Sequence, residues 1–331
     1  MTTGQKFGRR HFIYASGALI AASMASRAQA QKKLPVVAFL HSQRSPLPET
    51  EASSPLRVRL RELGWDDGKT FRMEYAYAEG RADRLPGLAA ALVEKQVDVF
   101  VTAGGESTRA AKRATDTIPI VAVGPNLLAM GFASNLARPG GNVTGPSFDA
   151  GPGLSAKRLE LLKLAVPAAK RVAYIQNAGL TTGAAEAAVA AARAHGLELT
   201  FLVVDGPADL DTAFADLSRN RPDALWFADS PANISLRAQV IEFAARERLP
   251  AIYGIRQFAE SGGLMSYGIN IEERSRAAAQ YVDKILRGAK PGDLPIEQAT
   301  TLELVINLKT SRAMGLTMPQ ELLLGADRVI E

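Results

Sequence analysis

The sequence predicts an α/β protein of two doubly wound lobes, each built on a parallel sheet. Short β-branched runs alternate with amphipathic helices along most of the chain, and the connections between them are brief, as right-handed βαβ units require. The chain has 331 residues, more than one hydrophobic core usually serves. The alternation also restarts after a stretch rich in proline and glycine, Arg138-Pro139-Gly140-Gly141-Asn142-Val143-Thr144-Gly145-Pro146. Proline fixes φ and glycine frees it, so no helix passes through and the backbone must turn. This stretch is read as the lead-in to the first crossing between the lobes.

In the first lobe, 36–40 is an unbroken apolar run, as expected of a strand covered on both faces. A helix follows over 54–63 with Leu56, Leu60 and Leu63 on one stripe, stopped by Gly64. Phe71, Met73 and Tyr75 alternate with polar residues, the pattern of a strand nearer an edge. Leu85, Leu88 and Leu92 stripe the next helix, and strands over 97–101 and 118–123 flank a helix over 107–114. In the second lobe, strands are expected at 171–176, 199–204, 224–228, 250–253, 264–267 and 302–306. Helices lie between them, one striped by Ile234, Ala238, Ile241 and Ala245, another by Ala278, Tyr281, Val282 and Ile285.

Residues 1–30 read as an export signal. They hold Lys6, Arg9, Arg10 and Arg27 and no acid, with an apolar stretch from Phe12 to about Ala25 and an Ala28-Gln29-Ala30 cleavage site. The Arg9-Arg10 pair followed by an apolar residue resembles a twin-arginine signal, with Gly8 and Tyr14 as departures. The mature chain is expected to begin near Gln31 and to work in the bacterial periplasm. The formal charge of +5 comes largely from this segment: taking its four basic residues from 39 leaves 35 against 34 acids. No Lys/Arg block interleaved with aromatics remains, so no nucleic-acid partner is expected. There are no cysteines, which excludes disulfides, thiolate metal sites and a cysteine nucleophile.

In open α/β sheets ligands lie beyond the carboxyl ends of the strands. Those junctions carry His41-Ser42-Gln43, then Gly104-Gly105-Glu106-Ser107-Thr108 leading into a helix, then Gly124-Pro125-Asn126. The second lobe offers Asn177, Asp229-Ser230, Arg256 after Tyr253, and Tyr267. Exposed N–H groups at the start of the 107–114 helix suit a carboxylate, and Ser107 or Thr108 also suits an N-cap. Asp229 suits an ammonium, and Tyr253 and Tyr267 a flat or apolar portion. The motifs of dinucleotide, P-loop, zincin and nucleophile-elbow sites do not occur, so neither cofactor nor metal nor enzyme activity is expected. His41 is the one histidine placed for a rival reading as a general base, together with Asp229.

Further segments carry a resemblance: Arg138 through Gly145, Lys157-Arg158-Leu159-Glu160-Leu161-Leu162, Pro250-Ala251-Ile252-Tyr253-Gly254, Gly262-Gly263-Leu264-Met265-Ser266-Tyr267-Gly268, Tyr281-Val282-Asp283-Lys284-Ile285-Leu286-Arg287-Gly288 and Glu303-Leu304-Val305-Ile306-Asn307-Leu308-Lys309. In order and over essentially the whole mature chain, they resemble the ABC-transporter substrate-binding proteins of the tryptophan/tyrosine type. The resemblance implies the type 1 periplasmic-binding fold: two Rossmann-like lobes joined by a three-crossing hinge, with the solute in the cleft. It implies a membrane permease with a cytoplasmic ATPase as partners; the receptor is expected to be a monomer, and a rival reading is a sensory subunit that signals to a membrane kinase.

Crossings are then expected near 145–148, 261–264 and 299–302, with Gly145, Phe148 and Gly263 as hinge residues. Residues 34–147 with 264–298 would form the first lobe, and 148–263 with 299–331 the second. By position, Ser107 and Thr108 would hold a carboxylate, Asp229 an amine, with Ser42, Gly104, Gly105, Asn126, Asn177, Ser230, Arg256 and Tyr267 also facing the solute. Two loops depart from the family's pattern, at Pro125-Asn126 and at Asn177-Ala178-Gly179. The solute expected is an amino acid or a related carboxylate or amide.

Overall fold

Strands with apolar residues on both faces need two covering layers, and both lobes supply them. The computed structural model describes Met1 and residues 33–46, 48–151, 153–176, 182–204, 207–228, 234 and 236–331. Residues 2–30, read from the sequence as an export signal, therefore lie outside the described residues. Among them no helix is long and apolar enough to cross a membrane.

The first sheet has five parallel strands in the order β2-β1-β3-β4-β5, formed by β1 (Val36–His41), β2 (Arg72–Tyr77), β3 (Val99–Ala103), β4 (Ile120–Val123) and β5 (Val143–Thr144). Alternation along β1 sends Val36, Ala38 and Leu40 to one face and Val37 to the other, and each face has its own core. One face is covered by α3 (Leu85–Glu94) and α4 (Gly105–Ala114), which follow β2 and β3. The other is covered by α2 (Pro55–Glu62), which follows a short α1 (Pro48–Ala52), and by a helix from much later in the chain.

The second sheet has seven strands in the order β12-β11-β10-β9-β8-β6-β7. They are β6 (Arg171–Gln176), β7 (Glu198–Val203), β8 (Ala224–Phe227), β9 (Ala251–Tyr253), β10 (Met265–Ile269), β11 (Leu302–Asn307) and β12 (Arg328–Ile330). All neighbours are parallel except β10 and β11. Helices α5 (Gly153–Ala165), α6 (Thr182–Ala194), α7 (Pro207–Arg219), α8 (Arg237–Arg246) and α9 (Arg256–Glu260) connect them. The buried face of α8 is Val240, Phe243 and Ala244, one step round from the stripe expected through Ala238, Ile241 and Ala245. The three-residue β12 was not anticipated.

Helix α10 (Ile271–Leu286) leaves the second sheet and packs on the first. Its expected stripe, Ala278, Tyr281, Val282 and Ile285, joins Val99, Val101, Val121 and Val123 in one core. Asn270 caps it, its side chain accepting the Glu273 N–H at 3.1 Å. The chain then returns through Ile296, which packs in the first lobe, to β11.

Two expectations about the crossings need correcting. Strand β10 pairs with β9 and β11, so residues 264–269 belong to the second sheet and the second crossing falls at 269–271 instead of 261–264. Gly263 is small because a Cβ there would lie 2.6 Å from the Tyr253 ring and 2.9 Å from the Phe258 carbonyl oxygen; it is a packing position, not a bend. Gly145 is likewise inside the first lobe: a Cβ would overlap the Ala122 carbonyl oxygen and lie 2.8 Å from the Ala122 nitrogen, at φ +140°. Ser147 and Phe148 still run beside Gly124, so the first crossing begins at Asp149. Near the third expected crossing, 299–302, the Ala299 N–H donates to the Asp149 carbonyl at 3.2 Å.

The Arg138–Pro146 stretch anchors that return. Asn142 donates to the Thr115 and Ile118 carbonyls, the Thr144 hydroxyl donates to the Leu294 carbonyl at 2.8 Å, and the Gly140 N–H donates to Gly292.

Candidate functional site

The parallel register of β1 and β2 sets Phe39 opposite Tyr75 and His41 opposite Tyr77. Alternate residues share a face, so all four rings meet at the carboxyl end of the sheet. The Phe39 and His41 centroids are 5.8 Å apart, His41 and Tyr77 6.4 Å, and Tyr75 and Tyr77 stack at 6.1 Å with their planes 4° apart. Two adjacent chambers open around this cluster, and Phe39, His41, Gln43, Leu56 and Ser275 line both.

The inner chamber, of about 150 Å³, lies between the lobes. Its first-lobe walls are Val101, Ala103, Gly104, Val123 and Phe148; Ile234 closes it from the second lobe, and Ile271 from the second crossing. The outer chamber, of about 390 Å³, runs under α1 and α2, past Arg44, Thr50, Glu51 and Ser53, to the two tyrosines.

Electrostatically the cluster is quiet. Burial lowers the His41 pKa from 6.5 to about 4, and its Nδ1 accepts the Gln43 N–H at 3.0 Å. The imidazole is therefore neutral at physiological pH, with its proton on Nε2. Burial pushes the Tyr75 phenol up to about 12. Burial, then the nearby Glu51 carboxylate, holds Tyr77 far above the usual range. Among the described residues no cluster of three His, Asp or Glu side chains is spaced for a metal ion.

The residues expected from the sequence separate into three groups. Gly104 lines the inner chamber, and as N-cap of α4, at φ +84°, it turns the backbone from β3 into the helix. Ser107 lies in the first turn of α4 with its hydroxyl fully buried and without a hydrogen bond. Phe148 is a chamber wall, with its ring 3.1 Å from where a Cβ on Gly124 would stand.

A second group does structural work. Thr108 spends its hydroxyl on Thr102 Oγ1 and the Gly104 carbonyl, both at 2.8 Å. Asn126 donates to Asp149 at 2.7 Å and accepts the Ala129 N–H, tying its loop to the first crossing. Arg256 is held by Glu272 at 2.7 Å, with Glu260 and Glu303 at 3.9 Å. Tyr267 lies on the other side of the second lobe, near Lys157 and Asp327, and its carbonyl accepts from Arg158. Tyr253 is a core residue stacked on Phe258 at 4.8 Å. Ser42 and Gly105 border the chambers without lining them; Gly105 abuts Met130 at 3.4 Å.

The third group, Asn177, Asp229 and Ser230, lies outside the described residues.

The apolar walls of the inner chamber thus include Phe39, Phe148, Ile234 and Ile271, and neither Tyr253 nor Tyr267. The Phe39/His41 and Tyr75/Tyr77 alternations were the available signal, and it becomes readable only once β1 and β2 are known to be neighbours in register.

A chamber between two parallel-sheet lobes, at the carboxyl ends of their strands, is an arrangement shared with known proteins. The family model described as "ABC transporter substrate binding protein" matches residues 50–330. The chain belongs to that family. It is 25% identical over 261 residues to the tyrosine-binding protein of Clostridioides difficile, covering 78% of this chain and 74% of the relative. Its fold matches a Streptococcus pneumoniae ABC domain in complex with L-Trp, with a TM-score of 0.82 and 23% identity over 90% of this chain and all of that one. A conserved domain protein from Vibrio cholerae matches with a TM-score of 0.81 and 26% identity, at the same coverage. The fold is that of the type 1 periplasmic-binding proteins, and the family is one of substrate-binding proteins.

Proposed function

We propose that this substrate-binding protein is the solute receptor of an ABC importer, taking a small amino acid or related carboxylate or amide into the chamber between its lobes. The observation that carries the reading is the inner chamber itself. It is walled by both lobes, floored by a neutral histidine, and bordered by the start of α4 at Gly104. Its lining is mainly apolar, so the solute carries an aromatic or branched portion beside its polar group. The L-Trp complex and the tyrosine-binding relative support this class of solute.

The α4 N-terminus, with the buried Ser107 hydroxyl in its first turn, would receive the carboxylate. Asp229, with Ser230 and Asn177, all outside the described residues, would take the amine by their sequence positions after the strands. Solute that contacts both lobes favours the closed arrangement by its differential affinity for it. The signal-like 1–30 segment supports export to the periplasm by the twin-arginine route, where a membrane permease and its ATPase would be the partners.

Calorimetry and thermal shift on the protein purified from the periplasm test the reading. Apolar and aromatic amino acids should stabilise it, with micromolar affinity corresponding to about −8 kcal/mol. If no amino acid, carboxylate or amide raises the melting temperature, the proposal fails.

A further inference from the structure

The two chambers differ in size and character. The inner one, at about 150 Å³, is the size of an apolar cavity that holds a single benzene ring. The outer one is larger, at about 390 Å³; its lining is mainly apolar too, but unlike the inner one it carries charged side chains, Arg44 and Glu51. A free amino acid seated in the inner chamber would leave the outer one to water.

The charges in the outer chamber are not equivalent. Glu51 is engaged with the Tyr77 phenol, whose pKa it helps to raise. Arg44, an exposed residue of the outer chamber's lining, forms no ion pair among the described residues. The side chains that the two chambers share, Phe39, His41, Gln43, Leu56 and Ser275, are all uncharged, so a group set among them leaves no buried charge unpaired.

We infer that the solute is longer than a free amino acid: its ring occupies the inner chamber, and an arm from the ring's far end passes His41 into the outer chamber and ends in an anionic group at Arg44. This rests on the reading of the inner chamber as a solute site. The chemical class is an aromatic amino acid, or a close carboxylate relative, extended at the end away from its α-carbon by a second acid. A carboxylate at Arg44 gains an ion pair, with the option of bidentate bonding, that a neutral arm does not.

The test compares L-tyrosine, O-carboxymethyl-L-tyrosine and O-carbamoylmethyl-L-tyrosine by calorimetry on wild type, Arg44→Gln and Ser53→Trp. Both substituted residues are exposed, and melting curves check that the variants fold. In wild type the carboxymethyl compound should bind at least tenfold more tightly than tyrosine and severalfold more tightly than its amide. Arg44→Gln should bring acid and amide level, and Ser53→Trp, which narrows the outer chamber, should remove the advantage of both arms and leave tyrosine unaffected. Tyrosine binding as tightly as the extended acid, with Ser53→Trp silent, overturns the two-chamber inference and leaves the receptor reading standing. Binding of none of the three to wild type overturns both.

Discussion

The Arg256 guanidinium lies 2.7 Å from the Glu272 carboxylate, and the pair joins the two lobes. Arg256 begins the helix after β9 of the second sheet, while Glu272 sits in the first turn of the helix packed on the first. Sequence position alone made Arg256 a solute contact; the ion pair makes it a tie across the second crossing. With side chains 27% and 51% exposed, the pair contributes at most about 1 kcal/mol.

That small energy acts on the equilibrium between lobe arrangements. Arg256→Gln should leave the melting temperature within a few degrees of wild type and weaken solute binding by up to about fivefold, since 1.4 kcal/mol is a factor of ten. Glu272→Gln should do the same, and the double variant should be no weaker than either single one. Additive losses measured by calorimetry would show that the two residues act separately.

Gly145 gives a sharper outcome. Its φ of +140° and its contact with the Ala122 backbone leave no room for a side chain. Gly145→Val should destabilise the first lobe by about 3 kcal/mol or more, the range of severe overpacking with backbone strain. Gly151, at φ +79° in open space beside the first crossing, should accept Ala at a cost of about 1 kcal/mol. Urea denaturation of the two variants checks the contrast, and equal midpoints would refute it.

The comparison of these two glycines shows what could be read from the sequence. Strand and helix alternation placed nearly every element, because burial on two faces imposes an apolar pattern that needs no knowledge of neighbours. Glycine carries no such pattern. Gly145 and Gly263 looked like bends, yet each is small because another strand or ring lies against it. The same limit governs the site: Gly104 and Ser107 follow from the rule about strand ends, while the ring cluster of Phe39, His41, Tyr75 and Tyr77 depends on register between strands more than thirty residues apart. Arg256 follows β9 but is drawn away by Glu272, and Tyr267, which looked like a strand end, lies in the middle of β10 beside Lys157 and Asp327.

His41 predicts a pH dependence. Its folded pKa of about 4 lies below its ordinary 6.5, so between those values the unfolded chain binds a proton that the folded chain does not. Its contribution to stability is fully present above pH 6.5 and is lost as pH falls toward 4, a change of about 3 kcal/mol at most. His41→Gln should flatten the corresponding part of the stability profile from chemical denaturation at pH 4 to 7. A wild-type profile with the same slope as the variant over that window would contradict the buried neutral imidazole.

Ser107 separates a binding role from a structural one. Its hydroxyl is fully buried and unpartnered in the first turn of α4, and a buried polar group without a hydrogen bond costs about 1–3 kcal/mol. Ser107→Ala removes that cost, so the solute-free protein should gain stability, or at least lose none. If the hydroxyl is kept to receive a solute carboxylate, the same variant should bind an aromatic amino acid about tenfold more weakly, the equivalent of 1.4 kcal/mol. Gain in one measurement and loss in the other is the signature of a group held for a ligand, because a hydroxyl serving only the fold would lose stability on removal. Thr108 is the control: its hydroxyl already bonds Thr102 and Gly104. Thr108→Val should therefore lower the melting temperature while leaving affinity close to wild type. An unchanged affinity in Ser107→Ala would move the carboxylate away from α4, toward the groups that follow the strands of the second lobe.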